Sequence, residues 1–394
     1  MLTAHPDHLT SRAGRRCVER RHHVDCTAGG EDGPVPVLDP LDVGARVAEL
    51  LATGRRVSTY KLATLDALLQ HCLEHPAAPD AALTVPLEDL ADRVIDLYWP
   101  QVRPFSAAGV LRQNEQPGRS IPDRVLELRT AAEVQGLRAP AQLRLAEPAR
   151  VARARRDIAK VLAQQPLTAL HTPGSGRAAP TEAFLYDDSW LHKKLTTADL
   201  DAHSWRIELR PGVAHALARV AGLLQPVLQR WWIDDIARLN AAAVDAPDLH
   251  GFLFGAARAA VATLAPGLTD LQAGRCFYCR GRLGEDVHVD HVLPWSRVAI
   301  DGLANLVAVD ARCNLAKSAT LPAVDHVEAV LARPVAALED VGRVQRWPVE
   351  RPRVVGAAVG LYRGSPTGTP LWRAPGVHDL LDHRQLARLA DHHA

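Results

Sequence analysis

Three of the six cysteines in this chain are scattered (Cys17, Cys26, Cys72), and three, Cys276, Cys279 and Cys313, crowd into one short segment. That crowding constrains the fold more than any other feature. The N-terminus carries Arg15, Arg16, Arg20 and Arg21 with no apolar run behind them, so it does not read as an export signal. In a reducing compartment, clustered cysteines point to a metal rather than to disulfides. The expected compartment is the cytoplasm, and the segment around residues 276–313 should close on an ion.

The rest of the chain reads as mostly helical. Its 394 residues are enough for two or three domains. No stretch approaches the ~20 apolar residues of a membrane span. Residues 1–40 read as a basic, disordered tail, 41–170 as a helical N-terminal domain, 171–180 as a linker and 181–270 as a second helical region. Residues 271–322 stand apart as a compact module, and 323–394 follow as C-terminal helices with a β-hairpin. Val43, Val47, Leu50 and Leu51 mark the apolar stripe of a first helix, Leu62, Leu65, Leu69 and Cys72 a second, and Leu87, Leu90, Val94 and Leu97 a third. Pro226 should kink or break the helix expected over 212–240. Val355, Ala357, Val359 and Leu361 alternate before a Ser365–Gly368 turn, which predicts the hairpin over 353–372, with a short helix over 377–390.

Net charge is +1, so affinity for nucleic acid must come from local patches. The most basic helix is expected over 148–165. Arg150, Arg153, Arg156 and Lys160 share one side of it, beside an apolar stripe of Val151, Ala154, Ile158 and Leu162. Two readings stand level: a phosphate-tracking face, or a solvated face on a packed helix.

The chemistry concentrates in CFYC (276–279), VHVDHVLPWSR (287–297) and NLVAVDARCNLAK (305–317). Val287, Val289 and His291 alternate with His288 and Asp290 as in a strand, which puts Asp290 and His291 on opposite faces unless the strand bends. Leu306 and Val307 suggest a second strand, and Asn314 to Thr320 a helix. A hard cation that bridges phosphate oxygens takes oxygen ligands, such as Asp290 and the Asn314 amide oxygen. A histidine is the natural base for activating water near neutral pH.

This segment resembles the HNH (ββα-metal) nuclease family, which includes homing endonucleases, some restriction enzymes and colicin-type toxins. The resemblance rests on Asp290–His291, Asn305–Leu306, Asn314 and Lys317, and covers about residues 274–320. It implies an α+β fold with a ββα-metal module inside a helical chain, and hydrolysis of phosphodiester bonds. His291 would be the general base, and Asp290 and Asn314 would hold Mg²⁺ or a similar divalent cation. Asn305 would hold the loop that orients His291, and Lys317 and Arg297 would contact phosphate.

Many members frame this module with two C-x-x-C knuckles around a structural zinc. Here the second knuckle reads Asp310–Ala311–Arg312–Cys313. A Cys276, Cys279, Asp310, Cys313 site leads, with three cysteines plus His288, or a degenerate site, as alternatives.

The expected function is a metal-dependent DNA endonuclease serving restriction or phage defence, with residues 41–264 supplying recognition. The alternatives are an RNA-cleaving effector, since the chemistry is shared, and a non-catalytic zinc-knuckle protein that binds nucleic acid. One such centre cuts one strand, so double-strand cleavage needs a dimer or two sequential nicks; the expected partners are DNA and a second copy of the chain or a defence-system protein.

Overall fold

The first apolar stripe folds as expected. Helix α1 (Pro40–Thr53) buries Val43, Val47, Leu50 and Leu51. Helix α2 (Tyr60–Glu74) is buried along almost its whole length, Cys72 included. After strand β1 (Leu83–Pro86), Pro86 sits extended at the N-cap of α3 (Leu87–Tyr98), where its missing N–H costs nothing. In this computed structural model the described residues are 38–53, 57–105, 109–115, 121–172, 183–240, 249–254 and 261–391. Nearly all of the expected tail over 1–40, and most of the expected linker over 171–180, lie outside them.

Helix α4 (Ile121–Val134) leads to α5 (Pro140–Ala146) and α6 (Pro148–Leu162), each opened by a proline in its first turn. Helix α6 buries Val151, Ile158, Ala159 and Leu162 and packs on α3 and α4. Helix α7 (Thr197–Ala202) precedes strand β2 (Arg206–Leu209), which pairs antiparallel with β1 in the register Leu83↔Leu209.

Helix α8 (Val213–Leu239) continues past Pro226, so of the kink or break that the sequence predicts there, the break does not occur. One missing backbone bond is outweighed by packing: Val220, Ala221, Leu224, Leu228 and Trp232 are buried, and the helix lies against α1 and α2. No described helix is long and apolar enough to cross a membrane.

Helices α9 (Leu249–Phe254) and α10 (Ala265–Leu271) precede the module that the sequence singles out. Strands β3 (Val287–His291) and β4 (Leu306–Asp310) pair antiparallel, with Val287 opposite Asp310 and His291 opposite Leu306. Helix α11 follows at once as Ala311–Lys317. It starts three residues before the expected Asn314 because the Asp310 carboxylate accepts the Cys313 N–H (2.8 Å) and caps it.

The C-terminal region departs most from expectation. After α12 (Val324–Leu331) and α13 (Val335–Gln345), residues Arg351–Gly364 form helix α14, not a strand. Every residue from Val354 to Tyr362 is buried, so the helix shows no polar face and its apolar run mimics alternation. Gly356 and Gly360 lie directly against the Glu74 and Leu73 carbonyls of α2, an approach that leaves no room for a Cβ. The hairpin exists further on, as β5 (Pro370–Ala374) and β6 (Val377–Leu380), with Gly376 at φ +77° in the turn. The last helix, α15, is correspondingly shorter, at His383–Asp391. The chain beyond the ββα module thus returns to pack within the N-terminal helices.

Candidate active site and metal centre

Strand alternation puts His288 and Asp290 on the face of β3 that α11 covers. Asn314 and Lys317, one turn apart on α11, meet them there: the Asn314 amide lies 2.9 Å from His288 Nδ1, and Lys317 Nζ lies 3.0 Å from Asp290 Oδ2. The Asp290 carboxylate also accepts a hydrogen bond from the Tyr278 hydroxyl (2.6 Å). Tyr278 sits between the two knuckle cysteines, so the knuckle reaches Asp290 directly. Burial, with the Asp290 charge adding to it, holds that phenol well above its usual pKa, so it stays protonated and donates.

Lys317 is not on the surface where a phosphate contact belongs. It is fully buried, its Nζ also donates to the His291 carbonyl (2.8 Å), and burial lowers its pKa against the pull of Asp290. Its position three residues after Asn314 turns it inward with that side chain, against β3. It ties α11 to the end of β3.

His291 points to the opposite face, as alternation requires. Its Nε2 lies 2.8 Å from Asp301 Oδ1. An ionised carboxylate only accepts, so Nε2 carries the proton and Nδ1 keeps the lone pair. Asp301 had no motif to mark it. It is held by the Trp347 indole N–H, which donates to its carbonyl (2.6 Å).

Asn305 is completely buried and clamps the loop between the strands. Its amide oxygen accepts from the Leu293 N–H (2.8 Å), and its amide nitrogen donates to the Leu293 and Ile300 carbonyls (3.0 and 3.1 Å). The Leu293–Ile300 stretch it fixes leads straight into Asp301.

The donor set at the β3–α11 interface fits a hard divalent cation. It combines a carboxylate and an amide oxygen, with an imidazole beside them, and such cations retain several waters instead of a full protein cage.

The knuckle fits zinc. One sulfur each from Cys276, Cys279 and Cys313, and a carboxylate oxygen of Asp310, all lie within 4.8 Å of one another. Three soft sulfurs and one carboxylate oxygen are four ligands of the kinds that zinc accepts. Asp310 serves twice: one oxygen caps α11, and the other faces the Cys279 sulfur at 3.1 Å. Burial opposes its charge, but bonds from the thiols and the Cys313 N–H win and hold its carboxyl below the usual range. His288 does not join the cysteines. Its two ring nitrogens face Asn314 and Asp286 (3.2 Å), which removes the alternative of His288 as a fourth zinc ligand.

The basic residues divide. On α6, Arg150 pairs with Glu147, and Arg156 pairs with Glu88 (3.5 Å) and lies over the Trp205 ring. Arg153 is exposed and Lys160 half-buried. Part of this helix's charge is therefore matched within the chain. The Arg297 guanidinium lies over Gly222 of α8, in space that a Cβ would fill. Arg275, Arg280, Arg282 and Arg312 are exposed around the knuckle and α11.

Residues 278–323 match the family model described as HNH endonuclease, a range that takes in Asp290, His291, Asn305, Asn314 and Lys317 and begins two residues after Cys276. Residues 41–253 match the family described as a domain of unknown function (DUF8808). None of the curated proteins and none of the solved structures compared with the chain matches it. With more than half of its 394 residues under that second match, the chain belongs to the DUF8808 family and carries an HNH endonuclease segment behind the shared region.

Proposed function

We propose that this protein is a divalent-metal-dependent endonuclease that hydrolyses DNA, with His291 as general base. The observation that carries the reading is the pairing of His291 Nε2 with Asp301 at 2.8 Å. It leaves Nδ1 as the basic nitrogen and holds the ring in place, which a general base requires. Asp301 is a positioning residue, and the Asn305 clamp and the Trp347 bond to the Asp301 carbonyl keep its loop in place.

Asp290 and Asn314 would hold the catalytic cation, which supplies Lewis-acid polarisation of the phosphate and stabilisation of the leaving oxygen. Tyr278 and Lys317 orient Asp290 from two sides. His291 accepts the proton of the attacking water at Nδ1, while Asp301 stabilises the imidazolium that results. Cys276, Cys279, Asp310 and Cys313 would hold a structural zinc, and through Tyr278 that knuckle supports the position of Asp290. The exposed arginines around the knuckle supply phosphate contacts, and residues 41–264 supply recognition.

Restriction of foreign DNA is the biological role we attach to this activity. The test incubates purified protein with plasmid, modified phage DNA and RNA, with Mg²⁺ or with EDTA. DNA should be cut with Mg²⁺ and spared with EDTA. His291→Ala should lower the rate by ~10²–10⁴-fold with binding retained. Cleavage by His291→Ala at the wild-type rate refutes the assignment, and cleavage of RNA alone makes the protein an RNA-cleaving effector.

A further inference from the structure

A second cluster of ligating side chains lies within the family-matched region, on helices that the proposed nuclease mechanism does not use. His71 and His75 stand one turn apart at the C-terminal end of α2, their rings stacked with centroids 4.1 Å apart. Asp89, in the first turn of α3, places Oδ2 3.9 Å from His71 Nδ1. One ligand atom from each of the three residues lies within 4.8 Å of the others.

The tautomers of both histidines can be read from their partners. His75 Nδ1 lies 3.0 Å from the His71 carbonyl, which only accepts, so Nδ1 carries the proton and Nε2 the lone pair. The His71 ring bonds to the backbone of Thr84 in β1. Its Nδ1 is buried and has no hydrogen-bond partner. The Thr84 bond therefore falls to Nε2, and Nδ1 is left with a lone pair aimed beside Asp89. An imidazole whose far N–H is fixed on a backbone carbonyl has the outer-shell arrangement of a metal-ligating histidine. A buried ring nitrogen with no partner is otherwise costly.

We propose that His71 Nδ1, His75 Nε2 and a carboxylate oxygen of Asp89 form a binding site for a borderline divalent ion such as zinc. Two imidazoles and a carboxylate suit that class of ion and leave a fourth position for solvent. Arg93 pairs with Glu74, at 2.5 Å, and Arg353, which shares that carboxylate, also pairs with Glu350 (2.7 Å), so two carboxylates face the two guanidinium groups beside the site. The ion fastens the end of α2 to the start of α3 across β1. The site is independent of the nuclease reading.

The test uses the full chain with zinc as the probe. Wild type, His75→Ala and Asp89→Asn are equilibrated with graded free Zn²⁺, and bound metal and melting temperature are measured. His75 is exposed and Asp89 half-buried, so neither change threatens the core. The wild type should bind one zinc more than the knuckle and the nuclease centre account for, with a rise in melting temperature. Each variant should lose that zinc or bind it at least ~10-fold more weakly, a ligand being worth no less than an outer-shell partner. Equal stoichiometry and affinity in all three proteins overturns the site. So does loss in His75→Ala alone, which marks a surface histidine acting without Asp89.

Discussion

Replacing Lys317 with methionine keeps the length of the aliphatic stem and removes the ammonium. The wild-type nitrogen is fully buried, 3.0 Å from Asp290 Oδ2 and 2.8 Å from the His291 carbonyl. Its removal leaves Asp290, whose side chain is 11% exposed, with a charge that only Tyr278 still meets. Breaking one side of a buried pair costs about 3–5 kcal/mol. The retained Tyr278 bond favours the lower end, about 3 kcal/mol. Unfolding entropy of ~2.1 cal/mol/K per residue over the roughly 360 residues Val37–Ala394 gives ~0.75 kcal/mol per degree, so the melting temperature should fall by about 4 °C. Mg²⁺ should recover part of that loss, because a cation at Asp290 replaces the missing charge. Thermal melts with and without Mg²⁺ measure both effects, and DNA binding against salt supplies the control. Since Lys317 does not reach the surface, the salt slope should not change. A variant as stable as wild type, with a slope reduced by ~0.9, would mean that Lys317 meets phosphate and that the buried pair is wrong.

Cys313→Ser should release about one zinc per chain and lower the melting temperature, because metal binding at such a site is coupled to folding; unchanged zinc by elemental analysis counts against the four-residue set. Gly356→Ala should destabilise by at least ~1–3 kcal/mol in denaturant melts despite alanine's better helix propensity, since its Cβ would overlap the Glu74 carbonyl. A neutral result would mean that α14 and α2 can part freely. Burial raises the Asp66 carboxyl to about 6, against hydrogen bonds from Gln225 and Gln70 that lower it. The folded chain therefore holds a proton that the unfolded chain gives up, and stability is lost as pH rises from about 4 through 6. Asp66→Asn should gain up to ~3 kcal/mol over wild type at pH 8 and almost nothing at pH 4. An equal difference at both values would remove charge burial as the cause.

Short-range spacing made much of the chain legible. The stripes of α1, α2, α3 and α6 follow one helical period each, and Pro86 and Pro148 mark where α3 and α6 begin. The cysteine pair, the Asp290–His291 step and the run from Asn305 to Lys317 are local patterns, so the ββα order and the grouping of Cys276, Cys279, Asp310 and Cys313 could be anticipated. Tertiary structure decided what periodicity cannot carry. Helix α14 is buried on all sides, and a uniformly apolar run has no period to separate helix from strand. Lys317 is a surface residue by type and a buried cation in fact, because the turn of α11 that brings Asn314 to His288 also turns Lys317 onto Asp290. Asp301 and Tyr278 carry no motif, and each owes its role to a partner more than a helical turn away in sequence. One meets His291 across a clamped loop, and the other meets Asp290 across the knuckle. Those contacts exist only once β3, β4 and α11 have closed on one another.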